Sequence, residues 1–145
     1  MFRRILIAVD GSETSNHALD TGLQLARQGQ ASVRVVHALD ELASVSGYPY
    51  SAQLRDVVRQ EGQKILDDAL AIARKADVPA DAELVNQPDG RLGEMVANAA
   101  RAWNADLVVV GTHGRRGIGR VLLGSGAEEV VRMAPVPVLT VRSSA

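Results

Sequence analysis

Short apolar, β-branched runs alternate strictly with longer segments of helical period along this chain, and that alternation limits the fold more than any other feature. "RRILIAVD" (Arg3–Asp10) is a continuous apolar run ended by an Asp-Gly turn, as expected of a strand buried on both faces. "TSNHALDTGLQLARQ" follows, with Ala18, Leu19, Gly22, Leu25 and Ala26 at helical spacing and Gly29 placed to cap the helix end. "ASVRVVHAL" (Ala31–Leu39) is a second strand. A loop, "DELASVSGYPY", leads into a long helix over about Ser51–Ala76, with Leu54, Val58, Ile65, Ala69 and Ile72 as its apolar stripe and Pro79 beyond it. "DAELVNQ" reads as a third strand, "DGRLGEMVANAARAW" as a helix on which Trp103 faces the sheet, and "ADLVVVG" as a fourth strand. A glycine-rich loop then leads to a helix over about Ser125–Ala134, and "VPVLTVR" (Val136–Arg142) closes as a fifth strand.

Strands that alternate with helices form a parallel sheet with helices on both faces, joined by right-handed crossovers. Ligands of such sheets sit beyond the carboxyl ends of the strands, where the strand order reverses. Asp10, the segment after His37, and Gly111 all fall at such ends. Residues far apart in sequence therefore meet at one edge.

Composition narrows the chemistry. A length of 145 residues suits one domain, spanning residues 1–145, with a real core. Aromatic content is 3%, so Val, Leu, Ile and Ala must build that core. A net charge of −1 argues against a nucleic-acid partner. The lack of cysteine removes disulfides, thiolate metal sites and cysteine nucleophiles. The opening run Ile5–Val9 is too short for a secretory h-region, and no stretch approaches the ~18 apolar residues of a membrane span. A cytoplasmic location with no membrane insertion is the expectation.

"GTHGRRGIGRVLLGSGAEEVV" (Gly111–Val131) carries the chemistry. It lacks the dinucleotide fingerprint, because Gly117-Ile-Gly119 is followed by Arg-Val-Leu. It also lacks the P-loop lysine, because Ser125 directly follows Gly124. The underlying physics remains: glycines admit close backbone approach, and a helix start presents unpaired N–H groups and a positive dipole end to an anion. Ser125 adds a hydroxyl, and Arg115, Arg116 and Arg120 add positive potential.

Three residues have a plainer role beside the functional one. Asp10 either shapes the Asp10-Gly11 turn or meets a ribose hydroxyl or a hydrated Mg2+. Ser12 is either a helix cap or a ligand contact. Ser125 opens Ser125-x-x-Glu128, a capping-box pattern that uses the same helix terminus as a phosphate would. His113 has no assigned acid or nucleophile beside it, so no catalytic residue is expected.

Gly111-x-x-Gly114, nine further residues, then Gly124-Ser125 resembles the G-2x-G-9x-G-[ST] motif of the universal stress protein family, specifically its ATP-binding branch. The likeness runs the length of the chain, through "ILIAVDGSE", "VVH", "ADLVVVGTHGR", "LLGS" and "PVPVLTVR". The resemblance implies an open five-stranded Rossmann-like sheet ordered 3-2-1-4-5 and a homodimer formed through Val136–Arg142. It implies ATP across the carboxyl edge; Mg2+ at Asp10 rests on the carboxylate's own chemistry. Ala8, Val9 and Asp10 would line the adenosine end, and Ala38 would offer its backbone to the base. Gly111, Gly114, Gly124 and Ser125, helped by Gly126 and Ala127, would hold ribose and phosphates; His113 and Arg115 are candidate contacts by their place in the same loop, beside the plainer roles of loop hydrogen bond and solvated charge. Relatives can carry a hydroxyl where Ala127 stands, so one phosphate contact is absent here. The resulting expectation is a nucleotide-binding regulatory module with a stress-response role; slow ATP hydrolysis is the alternative.

Overall fold

In a computed structural model, residues 1–39, 52–86, 91–112 and 125–142 are described. The elements run β1 (Arg4–Ala8), α1 (Glu13–Gly29), β2 (Ser32–Ala38), α2 (Ala52–Lys75), β3 (Ala80–Val85), α3 (Leu92–Trp103), β4 (Leu107–Gly111), α4 (Ser125–Met133) and β5 (Val138–Val141). The five strands form one sheet in the order β3-β2-β1-β4-β5, with every neighbouring pair parallel. The strand order reverses at β1, between β2 and β4.

The uninterrupted apolar runs follow from burial on both faces. Along β1, Ile5 and Ile7 join one core with Val33, Val35 and Val109 of the sheet, Leu19 and Leu23 of α1, and Leu66, Ala69 and Ala73 of α2. Leu6 points to the other core, with Val36, Val108, Val96, Ala100 and Trp103, closed by Val130 of α4. With so few aromatics, small and branched side chains interdigitate to fill both layers.

Two expectations fail in instructive ways. Gly29 is the last helical residue of α1, and the left-handed cap is Gln30 (φ 55°), whose N–H reaches the carbonyl of Ala26. The Ala31 N–H bonds the same carbonyl at 2.8 Å, and Ser32 N then pairs with Arg3 O at 2.9 Å. Sheet register thus sets where α1 must stop, and it takes a non-glycine left-handed residue to do so. The stripe of α2 holds at Ala69, which is buried, and at Ile65 and Ile72, which pack on the same core, but fails at its start. Leu54 is 41% exposed, whereas Leu66, Ala69 and Ala73 carry the burial. Gly62 already lies against His37, Leu39 and Leu84 at the carboxyl ends of β2 and β3. The turns of α2 before it run past that edge and have no sheet to cover.

The opposite, amino edge is locked by charge. The Arg4 guanidinium lies 4.2 Å over the Trp103 ring and that of Arg34 at 5.3 Å. Arg4 Nε donates to the Trp103 carbonyl at 2.9 Å, and the Asp106 carboxylate accepts from the N–H groups of Arg3 and Arg4. Trp103 packs α3 on the sheet as expected, and the two cations overlay its ring.

Arg34 also grips Asp81 with two parallel bonds, Nε at 2.8 Å and Nη2 at 2.9 Å. The hydrogen bond from Arg34 holds the Asp81 carboxyl below its usual value, outweighing partial desolvation. A carboxylate with a depressed native pKa stabilises the fold above its unfolded pKa and loses that contribution as pH falls through the native value. The pair is half-exposed, so its worth is about 0.5 kcal/mol. Asp81→Asn should lower stability by that amount at pH 7, and the deficit should shrink once the pH falls below the usual carboxylate range. Urea unfolding at pH 7 and below that range checks it; an equal deficit at both would contradict it.

Candidate functional site

β1 delivers Val9 and Asp10 to the carboxyl edge, where the chain turns sharply into α1. The turn needs a glycine, since Gly11 has φ 82°. Asp10 Oδ1 accepts from Ser12 N at 2.9 Å, and Ser15 Oγ accepts from Asp10 N at 3.0 Å. Ser12 Oγ in turn accepts from Ser15 N at 3.1 Å and caps α1. Asp10 and Ser12 therefore fill their plainer roles, as turn-former and cap. These bonds also fix the Asp10 carboxylate in place at the strand order reversal.

His37 ties the neighbouring strand to this turn. Its Nδ1 lies 2.8 Å from the Val9 carbonyl, so the ring donates there. Val9 N donates to Val36 O at 2.9 Å, and Leu39 N to Val85 O at 2.9 Å. The pairs Ala8↔Val36 and Ala38↔Val85 put Asp10 and Ala38 on one row across the sheet. Adjacent strands are about 4.8 Å apart.

On the other side of β1, the pair Ile7↔Val109 puts Gly111 level with Val9. A Cβ at Gly111 would stand 2.9 Å from Thr14 Cγ2 and 3.1 Å from Thr14 C and O. The first turn of α1 thus lies directly on the end of β4, which gives Gly111 a packing reason to be glycine. Thr112 follows, its N–H bonded to Val141 O at 2.9 Å and its side chain 3% exposed.

α4 begins at Ser125, and Ala127 is buried in the core beside Val110. The first N–H groups of a helix have no partner within it. Here they belong to Ser125, Gly126 and the residues after them. α3 and α4 cross closely at their starts. A Cβ at Gly93 would meet the Glu129 backbone at 2.6 Å (C) and 2.8 Å (O). Glu129 Oε1 accepts from Gly93 N at 3.1 Å, and its Oε2 lies 3.7 Å from Arg91. Arg91 occupies the cap position of α3 without a side-chain cap bond, and Glu129 supplies the missing acceptor from across the interface. α3 therefore starts at Leu92, short of the Asp89 start that its periodicity indicated.

His113, Gly114, Arg115 and Gly124 lie outside the described residues, as do Arg116, Arg120 and the side chain of Ser125. The remaining candidates, Ala8, Val9, Asp10, Ser12, Ala38, Gly111, Gly126 and Ala127, fall at strand ends of the carboxyl edge, in the turn after β1, or in the first turn of α4. His37, Thr14, Ser15 and Glu129 position the site, yet no residue pattern singled them out. The spacing Ser12-x-x-Ser15 was the one available signal, since a cap and its third successor often bond.

Among the described residues no group of three or more acidic or histidine side chains gathers as a metal cage. One fixed carboxylate, Asp10, still suits Mg2+, which usually takes one or two protein carboxylates and completes its shell with phosphate oxygens and water. Among those residues no helix is long and apolar enough to cross a membrane.

A doubly wound parallel sheet whose strand order reverses at β1 defines a Rossmann-like α/β protein, a class whose ligands sit at the switch point. The chain belongs to the universal stress protein family, whose model matches residues 1–142. It is 33% identical over 151 residues to universal stress protein YxiE of Bacillus subtilis, covering 98% of this chain and 100% of that one. A family protein of solved structure from Burkholderia pseudomallei is 35% identical, with a TM-score of 0.75 and 94% and 93% of the two chains covered. A universal stress protein solved in complex with cAMP is 28% identical, with a TM-score of 0.73 and 99% of each chain covered.

Proposed function

We propose that this chain, acting as one domain over residues 1–145, binds an adenine nucleotide, ATP with Mg2+, at the carboxyl edge of its sheet, as a regulatory module of the stress response. The observation that carries the reading is the end of β1 and its fixed turn Asp10–Ser15, with Asp10 level with Ala38 on one side and Val9 level with Gly111 on the other. That row has the length and chemistry for a nucleoside, and the start of α4 follows from the β4 side with N–H groups for phosphate. Ala8, Val9 and Asp10 line the nucleoside, Ala38 meets the base through its backbone, and Asp10 holds Mg2+. Gly111, Gly114, Gly124, Ser125, Gly126 and Ala127, with His113 and Arg115, surround ribose and phosphates. The 28%-identical relative solved with cAMP supports an adenine ligand.

In this reading nucleotide occupancy favours one conformation, by no more than its differential affinity for the two, and a partner reads the outcome. The protein acts as a cytoplasmic homodimer, β5 pairing with its copy. β5 is an edge strand with apolar Val138, Leu139 and Val141, which favours such pairing. Mass spectrometry of the supernatant after denaturing purified protein tests the ligand. An adenine nucleotide near one per chain is expected; its absence, together with failure to reload from millimolar ATP, would contradict the reading.

A further inference from the structure

Among the described residues, two buried side-chain oxygens have no hydrogen-bond partner: Asn86 Oδ1 and Thr112 Oγ1. Both stand at the carboxyl edge, just past the ends of β3 and β4. An unpaired buried polar atom costs about 1–3 kcal/mol, so proteins rarely keep one without a use. Two at the ligand edge fit groups that a ligand completes.

We infer that Asn86 reads the base: its carboxamide completes its hydrogen bonds with the exocyclic amine and adjacent ring nitrogen of adenine. The inference rests on the nucleotide reading above and adds the residue that selects the base. β3 pairs with β2 through Ala38↔Val85, and Leu39 N bonds Val85 O at 2.9 Å. Asn86 is therefore one strand spacing, about 4.8 Å, from the backbone beyond Ala38 where the base is placed. A carboxamide presents one acceptor and two donors, and adenine presents an amine donor beside ring-nitrogen acceptors. Asparagine pairs with that edge in two bonds, a match that hypoxanthine and guanine, with a carbonyl in place of the amine, do not offer. Backbone groups at Ala38 can place a flat base, and Asn86 decides which base it is.

The test is a two-by-two titration: wild type and Asn86→Leu, each with ATP and with purine riboside triphosphate, which lacks only the amine. Asn86→Leu should weaken ATP about tenfold and change the amine-free analogue by less than about threefold. Leucine is close in size and removes an unpaired buried oxygen, so the melting temperature without nucleotide should stay level or rise. Asn86→Ala serves as second variant and should show the same dependence on the amine. Equal weakening of both triphosphates, or no weakening of either, would overturn the role of Asn86 while leaving nucleotide binding intact. Wild type that binds neither triphosphate would instead remove the underlying reading, and this one with it.

Discussion

Gly93→Ala should lower the melting temperature by about 5–10 °C, the largest single-methyl effect expected in the described chain. Alanine is the better helix former by about 1 kcal/mol, so the change would help an isolated α3. In the fold the added Cβ falls 2.6 Å from Glu129 C and 2.8 Å from Glu129 O. Both are backbone atoms of α4, and no rotamer can move them aside. The two helices must separate, straining the Glu129 cap on Gly93 N and loosening Val96 and Val130 in the core beneath. Overpacking of this kind costs about 1–3 kcal/mol. Gly126→Ala is the control. Its Cβ would meet chiefly Leu92 Cδ2, at 2.5 Å, the far end of a side chain that is 39% exposed and free to swing. Less than about 1 kcal/mol is expected there. Differential scanning calorimetry of both variants compares them, and equal melting temperatures would mean that the helix crossing is not the constraint. Since α4 carries the candidate phosphate terminus, Gly93→Ala should also weaken nucleotide without touching it.

Replacing Gly114 and Gly124 together with valine should abolish stabilisation by Mg-ATP. In wild type, ligand at about 100 times its dissociation constant adds roughly 2.7 kcal/mol. For a chain of this length that raises the melting temperature by several degrees. Bulk at those two positions denies the close backbone approach that a P-loop lysine would otherwise reinforce. The melting temperature without nucleotide should change little, as should the oligomeric state. A thermal scan with and without nucleotide reads the difference; a shift retained in the double variant would place the phosphates elsewhere.

How much was legible in the residues depended on how local the cause was. Strands announced themselves because Ile5 through Ile7 and Val108 through Val110 are apolar at every position, which burial on both faces requires. The order of the strands was not readable from any pattern. It came from resemblance, and the observed order matches. Element ends fared worse, for tertiary reasons. Gln30 took the left-handed position from Gly29 because β2 must begin in register with β1. The cap of α3 sits on Glu129, 36 residues away. Leu54 looked like core because periodicity says which way a side chain faces, not whether anything stands opposite.

The candidate site divides the same way. The Asp10-Gly11 turn and the Ser12 cap are written in adjacent residues and were readable. Gly111 was noticed as part of a glycine motif, and the fold adds contact with Thr14 as a second cause. His37 holding the Val9 carbonyl and the unpaired oxygens of Asn86 and Thr112 exist only once strands are paired. No composition or spacing could have shown them.

The central claim is that the carboxyl edge grips an adenine nucleotide through backbone N–H groups and one fixed carboxylate. Calorimetric titration of the purified, nucleotide-stripped protein with Mg-ATP tests it most directly. The account predicts saturable heats with one nucleotide per chain, diminished when Asp10 is replaced by alanine. Flat heats up to millimolar Mg-ATP, from protein shown to be folded, would contradict it.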